Sequence, residues 1–244
     1  MEEITLGDIT LTRYFMLYLE DYNTAVMADF HLGYEDVMAQ KGLFLPRLQF
    51  PHIMDLLEKI FEKYSPRRFI IDGDLKHEFS RNMPQEWREI EEVIDFISER
   101  CELIVIRGNH DNFLRSILKR KGLKLHEKYS LGNYIFVHGH RMVEIDGNKT
   151  LIIGHEHPSL TLRDEISATY KLPVFLYSPQ LIVLPAVSIY ASGTDITKNE
   201  FISPILQEYP QNFELYGISE EQGILYLGNL RSLMGRFLVD EKFN

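Results

Sequence analysis

Apolar and polar positions follow two rhythms along this chain. Short continuous apolar runs recur, each stopped by a polar, glycine-containing turn. Between the early runs lie stretches with the three-to-four spacing of amphipathic helices. Ala25–Ala28 is the organising run, a buried strand that breaks at Asp29-Phe30-His31, with Gly33 as a turn signal. Ahead of it, Ile4–Thr12 and Tyr14–Leu19 read as two short strands, a hairpin packed on it. Tyr34–Gln40 reads as a short helix. Gln49–Tyr64 repeats apolar residues at Ile53, Met54, Leu56, Leu57, Ile60 and Phe61, a helical face that Pro66 closes. Arg68–Ile71 is the next buried strand, stopping at Asp72-Gly73-Asp74-Leu75-Lys76-His77. Pro84–Glu99 carries a second helical stripe through Trp87, Ile90, Val93, Ile94 and Ile97. Glu102–Ile106 is a strand ending in Arg107-Gly108-Asn109-His110-Asp111, and a helix over Asn112–Lys121 follows, closed by Gly122. Tyr134–Val137 runs into His138-Gly139-His140, and Leu151–Ile153 runs into Gly154-His155-Glu156-His157.

Strands that alternate with helices predict an α/β fold. In open sheets of that kind, sites form at the carboxyl ends of the strands. Here those ends hold nearly all the Asp, His and Asn of interest. Beyond His157 the pattern changes. Pro173–Leu176, Leu181–Leu184, Glu214–Gly217 and Gly223–Leu227 read as strands, the last two bracketing a turn at Ser219–Gln222, and helices are scarce. We read them as strands of a second sheet. The expectation is one domain over 1–244, with a motif core at 25–157 and a part at 158–244 that completes the second sheet. Asp195–Asn212 is the least regular segment.

Composition narrows the setting. A hydrophobic content of 45% over 244 residues is enough for a large core. Cys101 is the one cysteine, which excludes an internal disulfide and reads as a small buried side chain opening a strand. The N-terminus, MEEITLGDIT, has no signal-peptide pattern, and no window reaches the roughly 18 apolar residues of a membrane span. The expectation is a soluble, cytoplasmic protein. A formal net charge of −10 counts against a nucleic-acid partner, because phosphate binding favours a basic surface. Bound divalent cations would offset that charge locally. Arg67-Arg68 and Lys119-Arg120-Lys121 are small basic clusters that read as solvated turns or helix ends.

Asp29 and His31 are two apart, so they share a face at the end of a strand, where oxygen and nitrogen can converge on a metal ion. Alone that pair is a weak signal. Collected from all the strand ends, the candidate ligands are Asp29, His31, Asp74, Asn109, His138, His155 and His157. They exceed what one ion takes and suit two ions sharing a carboxylate. Carboxylate, imidazole and amide donors suit manganese, iron or zinc, and the lack of a thiolate argues against a structural zinc site. Two ions roughly 3.5–4 Å apart activate water and clamp the attacking and leaving oxygens of an in-line phosphoryl displacement.

In order, Asp29-x-His31, Gly73-Asp74-x-x-His77, Gly108-Asn109-His110-Asp111, His138 and Gly154-His155-x-His157 resemble the motifs of the calcineurin-like metallophosphoesterases. Asp-Phe-His-Leu-Gly-Tyr-Glu and Gly-His-Glu-His-Pro look closest to the ICC-like, SbcD-related members. The resemblance implies a four-layer αββα sandwich of two mixed sheets flanked by helices. It implies that Asp29, His31, Asp74 and His157 hold one ion and that Asp74, Asn109, His138 and His155 hold the other. His110 then serves as the general acid toward the leaving oxygen. Many family phosphatases have an Asp where this chain has His77. Some repair-type nucleases of the family have His there, which favours His77 as a second catalytic group acting beside a diester. The resemblance therefore implies a manganese-dependent phosphodiesterase acting on DNA, with repair helicases as the class of protein partner.

SbcD-type nucleases carry a further capping domain and an attachment segment that the stretch after His157 does not resemble. Competing readings are a hydrolase of a small phosphodiester or nucleotide, a phosphoprotein phosphatase, and an inactive scaffold, which the full ligand set opposes. Other residues have two readings each. Asp111 caps the following helix, pairs with a ligand imidazole, or both. His140 faces away or stands behind the ligands. Tyr34 stacks on a base or packs. Arg163 reaches a phosphate or is solvated. Asp72 reads as structural, and His52 and His126 as surface or helix-face residues.

Overall fold

Alternation along the strands sorts the apolar side chains into separate cores. Ala25 and Met27 point to one side and Val26 and Ala28 to the other; Phe69 and Ile71 oppose Ile70, and Leu103 and Val105 oppose Ile104 and Ile106. The structure, a computed structural model, describes residues 1–78, 83–163, 169–191, 193–198, 200–209, 212–219 and 222–233. The side chain of Arg163 lies outside the described residues, as does part of the turn read at Ser219–Gln222.

In the first sheet β1 (Glu3–Leu6), β2 (Ile9–Thr12), β3 (Leu17–Leu19) and β4 (Thr24–Met27) are antiparallel neighbours. β5 (Arg68–Asp72), β6 (Glu102–Ile106) and β7 (Leu125–His126) continue it in parallel. Parallel steps need crossovers. These are α1 (Tyr34–Gln40) with α2 (Gln49–Tyr64), then α3 (Pro84–Ser98), then α4 (Leu114–Arg120). α2, α3 and α4 bury Ile53, Leu57, Ile90, Ile94, Leu114 and Leu118 against the outer face of this sheet.

The second sheet is built from β8 (Tyr129–Leu131), β9 (Tyr134–Phe136), β10 (Thr150–Ile153), β11 (Pro158–Arg163), β12 (Thr169–Tyr177), β13 (Leu181–Val183), β14 (Thr194–Asp195), β15 (Glu214–Ser219) and β16 (Gly223–Asn229). Its order is β14-β11-β12-β13-β10-β9-β8, with β15 joined to β12 and β16 to β15. Inward residues Phe136, Ile152, Phe175, Ile182 and Ile218 meet Leu17, Val26, Ile70 and Ile104 of the first sheet. On the outer side Ile205 and Leu206 of α5 (Pro204–Glu208) pack on Ile153, Leu176 and Val183. The layers are helix, sheet, sheet, helix, as expected, and both sheets are mixed.

The differences from the expected elements have local causes. Ile4–Thr12 is itself a hairpin, because Gly7 takes φ +69° and Leu6 pairs with Ile9. Phe15, at φ 57°, shortens the next strand to β3. β12 begins before the expected Pro173: its first residues, Thr169, Tyr170 and Lys171, are exposed and pair with β11, so no burial pattern marks them. β11 carries Pro at its first position, where the missing N–H is tolerated. α4 starts at Leu114, two residues later than expected.

Candidate active site

β4, β5, β6, β9 and β10 end at one edge of the sandwich, and the polar residues that follow them converge there. The chain reaches this edge in an unusual conformation. Asp29 (φ 59°), His31 (φ 47°), Asp74 (φ 48°), His155 (φ 66°) and His157 (φ 48°) are all left-handed. Such a conformation costs a side-chain-bearing residue about 1–2 kcal/mol. Main-chain bonds enforce it: Asp29 N donates to Gly73 O at 3.1 Å, His31 N to Asp74 O at 2.9 Å, and Ser188 N to Asp29 O at 3.1 Å. Gly73 is also required, since a Cβ there would collide with the His138 ring, and a Cβ on Gly108 would collide with the Asp74 carboxylate.

Each buried aspartate is anchored by one oxygen and free at the other. Asp29 Oδ2 accepts from His155 N at 2.9 Å, and Asp74 Oδ1 accepts from His110 N at 2.9 Å. Asp29 Oδ1 then lies 3.1 Å from His157 Nε2, and Asp74 Oδ2 lies 3.3 Å from His138 Nε2 and 3.8 Å from His31 Nε2. Among the described residues three groups have donor atoms within 4.8 Å of one another: Asp29–His31–His157, Asp74–His138–His155 and His31–His77–His110. His138 Nδ1 donates to Asp72 O at 2.8 Å, which leaves Nε2 as the lone-pair nitrogen aimed into the site. Among the described residues, buried His138 Nε2 and Asp29 Oδ1 make no well-directed hydrogen bond, although a carboxylate oxygen and an imidazole nitrogen respectively lie close to them. Buried polar atoms without a directed hydrogen bond are costly, and a cation between the groups would satisfy both. The donor set fits divalent ions. Asn109 is exposed on the turn between Gly108 and His110, and among the described residues its side chain makes no hydrogen bond to these groups. A neutral amide lacks the charge that draws the other donors together.

The electrostatics show where positive charge is wanted. Burial pushes Asp29 up, but His157 and His138 outweigh it and hold the carboxyl below its usual range. Asp74 behaves alike, with His138, His31 and His110 overcoming burial. Burial pulls His138 down, yet Asp74 and Asp29 raise it to about 10; His157 is raised for the same reason by Asp29. His31 falls to about 3 and His155 to about 4, chiefly by burial and then by the neighbouring imidazoles. Positive charge is thus favoured beside His138 and His157, where the carboxylates of Asp74 and Asp29 face the rings.

His110 Nδ1 donates to the carbonyl of His77, which fixes the ring with Nε2 3.9 Å from Asp74 Oδ2. His77 Nδ1 lies 3.3 Å from His31 Nδ1, and its ring stacks on His110 at 5.4 Å. Burial, His110 and Lys41 lower His77 to about 4. The His77 loop is held by Glu86, whose carboxylate accepts from His77 N and Glu78 N and pairs with the buried Lys76 at 3.2 Å. Asp111 neither caps α4 nor touches an imidazole; it accepts from Gly108 N at 2.9 Å and Lys76 N at 3.3 Å, tying two motif loops together. His140 stands behind the ligands, its ring 5.4 Å from His138. His52 lies half-buried on α2, as its helix-face reading expected.

Several supporting residues carried no local sequence signal. Gln49, the first residue of α2, is buried; its amide donates to Phe30 O and His31 O, and its oxygen accepts from Ser188 Oγ. Glu156 accepts from Ile202 N and Ser203 N, fastening the start of α5 to the site loop. Tyr190 stacks on Tyr34 at 5.1 Å and donates to Pro46 O. Proximity in space, not in sequence, recruits each of them. A mouth of about 230 Å³ opens over the site, lined by His31, Tyr34, His77, His110, His157 and Tyr190.

Comparison with known proteins bears on the fold and the family. No curated protein matches the chain. A solved structure, the nuclease MPE of Pseudomonas putida, aligns over 88% of this chain and 96% of its own at 20% identity, with a TM-score of 0.65. A weaker likeness, with a TM-score of 0.41 and 15% identity over 81% of this chain and 88% of the other, is to YfcE, a phosphoesterase from E. coli. The calcineurin-like phosphoesterase family model matches residues 22–183, which span every strand end that supplies the site. The chain belongs to the calcineurin-like phosphoesterase family.

Proposed function

We propose that this family member is a dinuclear-metal phosphodiesterase acting on nucleic acid, with DNA as substrate, in a cytoplasmic, repair-type role. Asp29, His31, Asp74 and His157 would hold one ion, and Asp74, Asn109, His138 and His155 the other. The observation that carries this reading is the pair of aspartates, each anchored through one oxygen and turned inward with the other, Asp74 lying between the two imidazole groups. When bound, the ions supply Lewis-acid activation of water and of the phosphoryl oxygens, with manganese first and iron or zinc as alternatives. His110, its ring fixed by the His77 carbonyl, donates a proton to the departing oxygen. His77 braces His31 and His110 at the diester. The fold shared with a nuclease and the open mouth support a nucleic-acid substrate.

The net charge of −10 favours a second reading, a small phosphodiester or nucleotide as substrate. One experiment tests both. The protein is stripped of metal, reloaded with manganese, and assayed on labelled single-stranded DNA, RNA, a cyclic dinucleotide and an aryl monoester, beside Asp74→Asn. We expect DNA cleavage that Asp74→Asn abolishes together with metal content. Turnover confined to the cyclic dinucleotide would establish the second reading. Normal turnover with two bound ions in Asp74→Asn would remove the proposed bridge.

A further inference from the structure

Behind the mouth lies a larger cavity of about 600 Å³, and the two share His157, Ser188, Tyr190 and Ala191. Its walls are apolar and aromatic: Phe15, Tyr170, Leu172, Pro173, Ile189 and Ile218. Tyr170 and Ile189 are more than two-fifths exposed, so apolar surface is accessible at the cavity. Lys171 adds a cation at the opening, its ammonium donating to Gly193 O at 2.6 Å. His110 and His77 line the mouth, and neither is among the residues that line the cavity.

That division has a chemical meaning. A phosphodiester held at the proposed metal centre carries two ester groups. Hydrolysis forms a bond from phosphorus to the water oxygen and breaks the bond to the leaving oxygen, which takes a proton from His110. The leaving group therefore occupies the His110 side, in the mouth. The ester group that stays on phosphorus needs space elsewhere, and His157 opens onto it. We propose that the cavity beyond His157 seats the retained nucleoside, so that the substrate must present an unpaired nucleotide. The inference rests on the phosphodiesterase reading. The volume lies within the range of small-ligand sites and is far too small for a duplex. Aromatic walls accept any base by stacking, and Lys171 meets the next phosphate of the strand.

The test keeps the leaving group constant and varies only the retained group. Manganese-loaded protein is assayed on methyl p-nitrophenyl phosphate, octyl p-nitrophenyl phosphate and the p-nitrophenyl ester of thymidine monophosphate. Wild type is compared with Tyr170→Ala, which removes an aromatic wall, and Ser219→Trp, which fills the cavity from β15. Binding of thymidine monophosphate by calorimetry supplies a readout independent of turnover. We expect kcat/KM for the thymidine ester to exceed that for the methyl ester by roughly 5- to 100-fold, the scale of one stacked base. The ratio should fall toward one in both variants, with weaker thymidine monophosphate binding. A ratio near one in the wild type, or a ratio that neither variant changes, overturns the nucleoside site and leaves the diesterase reading standing. An octyl ester preferred over the thymidine ester makes the cavity a site for acyl chains and also overturns the proposal. Failure to hydrolyse any of the esters overturns the diesterase reading and the proposal with it.

Discussion

The carboxamide of Gln49 holds the backbone of the first motif in its left-handed turn and clamps it to Ser188 from the second sheet. Gln49→Ala takes the amide donor from two buried carbonyls and the acceptor from the Ser188 hydroxyl. At about 1–3 kcal/mol for each buried group left unpaired, partly relieved by relaxation, the expected loss of stability is about 2–4 kcal/mol in chemical denaturation. Because His31 then loses its fixed direction, metal affinity should drop roughly 10- to 100-fold, the usual effect of removing a supporting partner. Metal titration would read that drop, and unchanged affinity would reduce Gln49 to a packing role. His110 is tested differently. His110→Ala should retain two ions yet lose on the order of 10²–10⁴ in rate on DNA, and less on an aryl diester whose leaving group needs no proton. Equal losses on both substrates, with metal gone, would refute the acid role. The ligand candidates were legible in the sequence because each follows an apolar run that must be a buried strand. Gln49, Ser188 and Tyr190 were not, because a helix start and a loop after Leu184 look the same whether or not they face a motif.

Elements follow the same logic. The strands and helices with a period of two or of three to four emerged where expected, since burial on one face writes that period into the sequence. β11, the exposed start of β12 and α5 did not, because their pairing or anchoring is tertiary: α5 hangs from Glu156, and β12 begins beyond the core. The first strand is tied to α2 by Lys63 and Tyr64, both on Glu3, with Lys63 Nζ at 2.9 Å. Those hydrogen bonds, from Lys63 first and Tyr64 second, lower the Glu3 pKa. A carboxylate whose folded pKa is depressed adds stability above its unfolded pKa, and that stability is lost as pH falls through the folded value. Glu3→Gln should therefore cost about 0.5 kcal/mol at neutral pH, a figure reduced for solvent screening of this partly exposed pair. The difference from wild type should vanish below the ordinary carboxylate range. Thermal unfolding of both proteins across an acid pH series checks it; a gap that persists in strong acid would mean a packing effect instead.

At the scale of the whole molecule, the αββα layering was implied by the family resemblance and the clustering of polar residues at one edge by the strand ends, whereas the seam between the sheets was not legible, since the main-chain bonds from Val187 and Ser188 to Ala28 and Asp29 join residues far apart in sequence. Chelation should abolish turnover and manganese restore it. Manganese should also stabilise the folded chain by about 2.7 kcal/mol per site at a hundredfold excess over the dissociation constant, and so raise the midpoint of thermal unfolding as its concentration rises. An unfolding midpoint indifferent to manganese would contradict a site formed only in the folded chain. The proposed donors divide by sheet: Asp29, His31, Asp74 and Asn109 follow strands of the first, and His138, His155 and His157 follow strands of the second. An ion shared among them is a rivet through the sandwich. During synthesis the first half emerges without a complete grip on any ion, and capture must wait until the second half docks. If the proposed ions bind here, metal loading would be the closing step of assembly, and without metal the two sheets would be expected to part at this edge first.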